Sequence, residues 1–116
     1  MIKITVYQDK DQVRRLTLTG HAGFAEEGSD IVCAAVSSQV ISVENSLYHL
    51  LGIEMQTEIN QVDGGYLDLI LPEIDSRSLM SQAQLLLHHL VYALEVTQEA
   101  YPEYIKMTYQ EFETSL

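Results

Sequence analysis

GHAGFAEEGSDIVCAAVSS, residues 20–38, is where the chain changes its period. Ahead of it, Ile2, Ile4 and Val6 alternate with Lys3, Thr5 and Tyr7. After a polar turn over residues 8–12, Leu16 and Leu18 alternate with Thr17 and Thr19. Period two with a polar turn between predicts an opening hairpin. Gly20 ends it, and residues 22–29 read as a short loop holding Gly23, Glu26, Glu27 and Gly28. From Asp30 the spacing turns helical, with Ile31, Ala34, Ala35, Ile41, Leu47 and Leu50 or Leu51 fitting one face and Gly52 as the stop. Ser29 and Asp30 are good caps, so the spacing predicts a helix over residues 30–51 with Cys33 in its first turn.

Working outward, Ile53, Met55, Thr57 and Ile59 alternate up to a Val62-Asp63-Gly64-Gly65 turn, and Leu67, Leu69 and Leu71 share a side until Pro72. Asp75 and Ser76 cap a second helix whose stripe is Leu79, Ala83, Leu86, Leu87, Leu90 and Leu94, ending near Tyr101-Pro102. Ile105, Met107 and Tyr109 alternate in a last strand, followed by a frayed acidic tail from Glu111. The order is ββαββαβ. Burying both helical stripes on one face of a largely antiparallel sheet gives a two-layer α+β fold, with residues 1–116 as one domain.

The balance of six basic and seventeen acidic residues gives a formal net charge of −11, which repels polyphosphate and argues against direct nucleic-acid binding. A basic partner suits that field. A single cysteine rules out an internal disulfide and fits a reducing cytoplasm. The first residues read as a strand rather than a signal sequence, and no run approaches the roughly 20 apolar residues of a membrane span. The stretch over residues 31–43, free of charge but interrupted by Ser37, Ser38, Gln39 and Ser42, reads as a buried helix.

Cys33 and His21 are the residues with chemistry to offer. A helix N-terminus favours the thiolate, lowering a free thiol from about 8.5 towards roughly 3.5–7.5 in reactive cysteines. His21 would then be the base, Cys33 the nucleophile, and the free N–H groups of the first turn, that of Cys33 included, the oxyanion donors. Asp30 either caps the helix or orients His21. The alternative is that Cys33 is a small buried hydrophobe and His21 a surface residue at a strand end. Ser37 lies one turn beyond Cys33, within reach of the thiol or of its own backbone. His88 and His89 are adjacent and point about 100° apart, which does not make the i, i+4 pair of a zinc site, and His49 serves as a helix-end charge.

Read whole, the segment resembles the signature of the ribosomal-processing cysteine protease family, Prp, in which a GHA block, a short variable stretch and a glycine lead into DIVCAAVS. Gly20-His21-Ala22, Gly28 and residues 30–37 all match. The resemblance implies a cofactor-free, cytoplasmic endopeptidase with a His21/Cys33 dyad, acting as a homodimer. It also implies a substrate: the N-terminal extension of the twenty-seventh protein of the bacterial large ribosomal subunit, cut after an apolar stretch just ahead of lysines. On that reading the glycines Gly23 and Gly28 let the loop over residues 22–29 act as a gate. Two other readings stand beside it: a non-enzymatic acidic homodimer that binds a basic partner, and a cysteine hydrolase of small amides.

Overall fold

A computed structural model describes residues 1–20, 29–60 and 65–113. The chain order is β1 (Ile2–Asp9), β2 (Gln12–Thr19), α1 (Ser29–Leu51), β3 (Gln56–Asn60), β4 (Tyr66–Ile70), α2 (Arg77–Ala100) and β5 (Ile105–Glu111). This is the ββαββαβ order expected. The five strands form one sheet, β3-β4-β2-β1-β5, antiparallel throughout except that β5 runs parallel to β1. The architecture is two-layer α+β.

Alternation in the sequence becomes burial in the sheet. Ile2, Ile4 and Val6 of β1, Leu16 and Leu18 of β2 and Leu67 and Leu69 of β4 are buried, as are Val36, Val40, Val43 and Leu47 of α1 and Ala83, Leu87, Leu90 and Leu94 of α2. Burying apolar side chains of this size is worth about 1.5–3 kcal/mol each, and it fixes the register, since a one-residue slip would turn every strand inside out. The helices are locked to each other by Gln39 and Thr97, whose side chains lie 3.0 Å apart.

The stripe expected on α1 is corrected. Ile31 and Ile41, placed by the sequence on the core face, are 66% and 49% exposed, while Val32, Val36, Val40, Val43 and Leu47 form the buried face. Both sets have helical spacing, and the sheet selects the valines, whose short branched side chains let the helix lie close. Leu50 is likewise exposed and Leu51 only partly buried. The strand expected from Ile53 begins at Gln56, with Ile53 and Met55 buried ahead of it. The acidic end is also more ordered than expected: β5 continues through Glu111, and the Phe112 N–H donates to the Gln8 carbonyl at 2.8 Å. Phe112 then lies under the buried Arg14 guanidinium, 4.9 Å from its ring centre.

The open face of the sheet is polar. Arg15 on β2 grips Asp68 on β4 through two bonds of 2.8 Å, the Tyr66 hydroxyl lies 3.3 Å from the same carboxylate, and Tyr7 stacks on the guanidinium at 4.8 Å. The two sheet edges differ. On β5 the Met107 N–H is taken by the Gln98 side chain of α2 at 2.6 Å. On β3 every residue is exposed, although the Thr57 hydroxyl ties the strand to Glu44 of α1 at 2.7 Å.

Candidate active site

The site is built where β2 ends and α1 begins. Gly20 follows the last residue of β2 with φ +79°, a backbone conformation L side chains rarely adopt. A Cβ there would lie 2.3 Å from the Met1 carbonyl oxygen, so only glycine allows β1 to start this close to the end of β2. Its N–H donates to the Gly65 carbonyl at 3.2 Å, tying this corner to the start of β4. The last described residue of this corner is thus one that tolerates no side chain. His21, Gly23, Gly28 and the glutamates Glu26 and Glu27 lie outside the described residues.

Cys33, the one cysteine of the chain, is a free, half-buried thiol packed against the core. Val32 and Val36, 1% and 0% exposed, pin the helix beside it and so fix the flank on which the thiol emerges. Ser37, one turn on, shares that flank and is also half-buried. Asp30 is exposed, and its carboxylate accepts the Ile31 N–H at 2.9 Å, so it satisfies one of the free donors of the helix end. The α-amino charge at Met1 acts on the thiol. Gly20, Asp30, Cys33 and Ser37 therefore gather at the end of the molecule where β1 starts.

Two details of the sequence reading are corrected. The helix starts at Ser29, which makes Cys33 its fifth residue rather than a first-turn one, beyond the donors that a helix end leaves free. The thiol is also not pulled down. Burial pushes it above its ordinary value, the Met1 α-amino charge opposes that, and the Asp30 carboxylate adds to it. Taking the thiolate out of water outweighs the cationic help among the described residues. Neither the Met1 charge nor the Gly20 contact could be found by motif reading, because both depend on how β1 and β2 pair.

The other histidines stand apart from this corner. His88 on α2 has its Nε2 2.8 Å from the Asp11 carbonyl oxygen, and His49 meets the Tyr48 ring edge-on at 5.0 Å near the end of α1. Among the described residues no group of three or more His, Cys, Asp and Glu side chains comes together as a metal cage. Among them, too, no helix is long and apolar enough to cross a membrane.

A small two-layer α+β domain with a lone half-buried thiol at a helix start, beside a glycine-ended central strand, has the make-up of a compact thiol enzyme. The chain matches the family of the cysteine protease Prp over residues 1–106, and it belongs to that family. It is 34% identical over 109 residues to the ribosomal processing cysteine protease Prp of Bacillus subtilis, a match covering 93% of this chain and 96% of the relative. The fold superposes on the crystal structure of SMU.848 from Streptococcus mutans with a TM-score of 0.87 at 31% identity, covering 97% of this chain and 96% of that one. It superposes on the Staphylococcus aureus Prp, solved in complex with a substrate peptide, with a TM-score of 0.75 at 27% identity over 95% of this chain and all of that one. The protein is a cysteine protease, and its relatives are ribosomal processing proteases.

Proposed function

We propose that this chain is the endopeptidase that removes the N-terminal extension of the twenty-seventh protein of the large ribosomal subunit, with Cys33 as nucleophile and His21 as its base. The observation that carries the assignment is arithmetic: a cysteine protease needs a thiol, and this chain has one. The match of Gly20-His21-Ala22 and of residues 30–37 to the family signature supports His21 as the partner.

The raised thiol selects among mechanisms. Burial and Asp30 both disfavour the thiolate, which suits a Cys33 that gives up its proton only as it attacks. His21 takes the Sγ proton as the sulfur attacks the scissile carbonyl, and the imidazolium returns that proton to the leaving amine. Water, activated by the same imidazole, then hydrolyses the acyl-enzyme. No cofactor enters this scheme. The acidic surface attracts the basic residues beyond the cut, the glycines Gly23 and Gly28 let the intervening loop move aside, and the enzyme works in the cytoplasm as a homodimer.

The test is the intact mass of the ribosomal protein from the same organism, incubated with this chain. Loss of the extension is expected with the wild type and its retention with Cys33→Ala and with His21→Ala, both still folded. A ribosomal protein that binds tightly and leaves uncut by the wild type would point to the non-enzymatic acidic binder.

A further inference from the structure

Arg14 is an unusual residue to find in a core. It is only 6% exposed, its guanidinium lies over the Phe112 ring at 4.9 Å, and its Nε–H has no acceptor among the described residues. Burying a charged donor without a partner is costly, so the group calls for an explanation. The neighbouring Arg15 shows a guanidinium fully satisfied: its Nε and Nη2 together grip both oxygens of Asp68 in a two-pronged fork. On Arg14 the same fork is half used. Glu73 accepts from Nη2 with one oxygen at 3.0 Å, and the Glu73 side chain is 77% exposed, so little packing holds it there.

Arg14 lines an open cleft of about 470 Å³ at the far end of β2 from Gly20. Arg77, at the start of α2, lines it too, so two of the chain's six lysines and arginines meet in one hollow. His88 flanks it from α2, with its Nε2 2.8 Å from the Asp11 carbonyl oxygen of the β1–β2 turn. Ile74 and Met80 supply an apolar patch, and the exposed Asp11 and Glu73 complete the wall.

These features select the ligand. Two guanidiniums suit an oxyanion, but the hollow already holds a tethered carboxylate, so a ligand carboxylate gains little by exchange. A phosphate dianion gains more, because it fills the Arg14 fork with two oxygens and presents a third to Arg77. The volume exceeds what a bare phosphate needs and is that of a small organic ligand. Carboxylates only accept hydrogen bonds, so the body of that ligand carries hydroxyls for Asp11 and Glu73, while Ile74 and Met80 take its carbon skeleton. The net charge of −11 repels a long polyanion, but a single phosphate responds mainly to charges within a Debye length of about 10 Å.

We propose that this cleft is a second binding site, for a small phosphorylated polyol of the sugar phosphate class, whose phosphate displaces Glu73 and closes the fork on Arg14. It lies about 20 Å along β2 from Gly20, apart from the corner that holds Cys33. A ligand bound there joins the β1–β2 turn, β2 and the start of α2, and so stabilises the folded chain.

Titration calorimetry of the full chain with ribose phosphate, inorganic phosphate and ribose, with melting followed in parallel, tests this without any cleavage. Ribose phosphate is expected to bind and to raise the melting temperature, inorganic phosphate to bind more weakly and ribose not at all. Arg77→Gln, at an exposed position, should weaken binding about tenfold or more, and Lys106→Gln, an equal loss of charge on β5, should leave it unchanged. Glu73→Gln should tighten binding because it removes the competing carboxylate, whereas Glu103→Gln should not. The Nε–H resonance of Arg14 should move when ribose phosphate is added. Absence of both heat and melting shift with either phosphate at millimolar concentration overturns the proposal. So do equal losses in Arg77→Gln and Lys106→Gln, an Arg14 resonance that stays still while ligand binds, or inorganic phosphate binding as tightly as ribose phosphate.

Discussion

At the scale of single residues, Cys33 meets two opposed demands: burial holds it neutral, and its proposed role as nucleophile needs it to give up its proton. Because burial and then Asp30 raise the thiol while the Met1 charge lowers it, removing Asp30's charge should bring the thiol down. Asp30→Asn is expected to shift the midpoint of alkylation rate against pH downward, towards that of an ordinary thiol. An upward shift would mean that the carboxylate stabilises the thiolate indirectly, through His21. The sign follows from the acid–base pair itself: a neighbouring anion penalises the charged form of a thiol, so losing the anion favours the thiolate. Gly20 makes an equally sharp prediction. Gly20→Ala must fit a Cβ 2.3 Å from a carbonyl oxygen at φ +79°, so we expect a loss of about 2 kcal/mol and, with His21 next in sequence as the proposed base, a loss of cleavage. Thermal melting and peptide cleavage check the two halves, and full activity in Gly20→Ala would show that the corner yields freely.

At the scale of elements, the sequence announced the strands and helices more faithfully than it announced their faces. Period two in β1 and the leucine stripe of α2 lie where the structure buries them, because each offered one apolar face only. Helix α1 offered two, and nothing local separates Val36 and Val40 from Ile31 and Ile41; the choice is made by the sheet, which exists only after β2 and β4 have paired. Val36→Ala should therefore cost about 2 kcal/mol, close to the value of the two methylene-sized groups removed, while Ile41→Ala should leave the melting of the monomer unchanged. The candidate site was legible in the same partial way. Cys33, Asp30 and Ser37 could be named from the motif, but the burial that raises the thiol could not, because it depends on how α1 packs on the core. The grip of Arg15 on Asp68 was not legible at all, since 53 residues separate the partners. Arg15→Ala strands a carboxylate whose side chain is only 8% exposed and should cost about 3 kcal/mol. The Arg15→Ala/Asp68→Ala double variant should melt above that single variant, and additive losses would show that the pair contributes independently.

At the scale of the whole molecule, the charge of −11 acts with opposite sign on the two associations proposed above, with a basic peptide and with a second copy. Attraction of a basic peptide weakens as salt rises, whereas repulsion between two copies is relieved by it. Cleavage measured as kcat/KM should thus fall with salt at enzyme concentrations that keep the proposed dimer intact, and should pass through a maximum at concentrations near its dissociation constant. Activity flat across salt at both concentrations would reduce the acidity to a solubility feature. The pairing of β1 with β5 adds a constraint of another kind. Thr5 and Thr108 touch across the sheet at 3.1 Å with 103 residues between them, and β1 is sandwiched between β2 and β5. During synthesis the outer edge of the first strand stays uncovered until residues 105–111 have cleared the exit tunnel. Nascent chains stalled before Ile105 has emerged should be cut rapidly by an added protease, and released chains should resist it. The first strand to be made is thus the last to be closed on both sides, so the sheet that carries the site is complete only once β5 has taken its place.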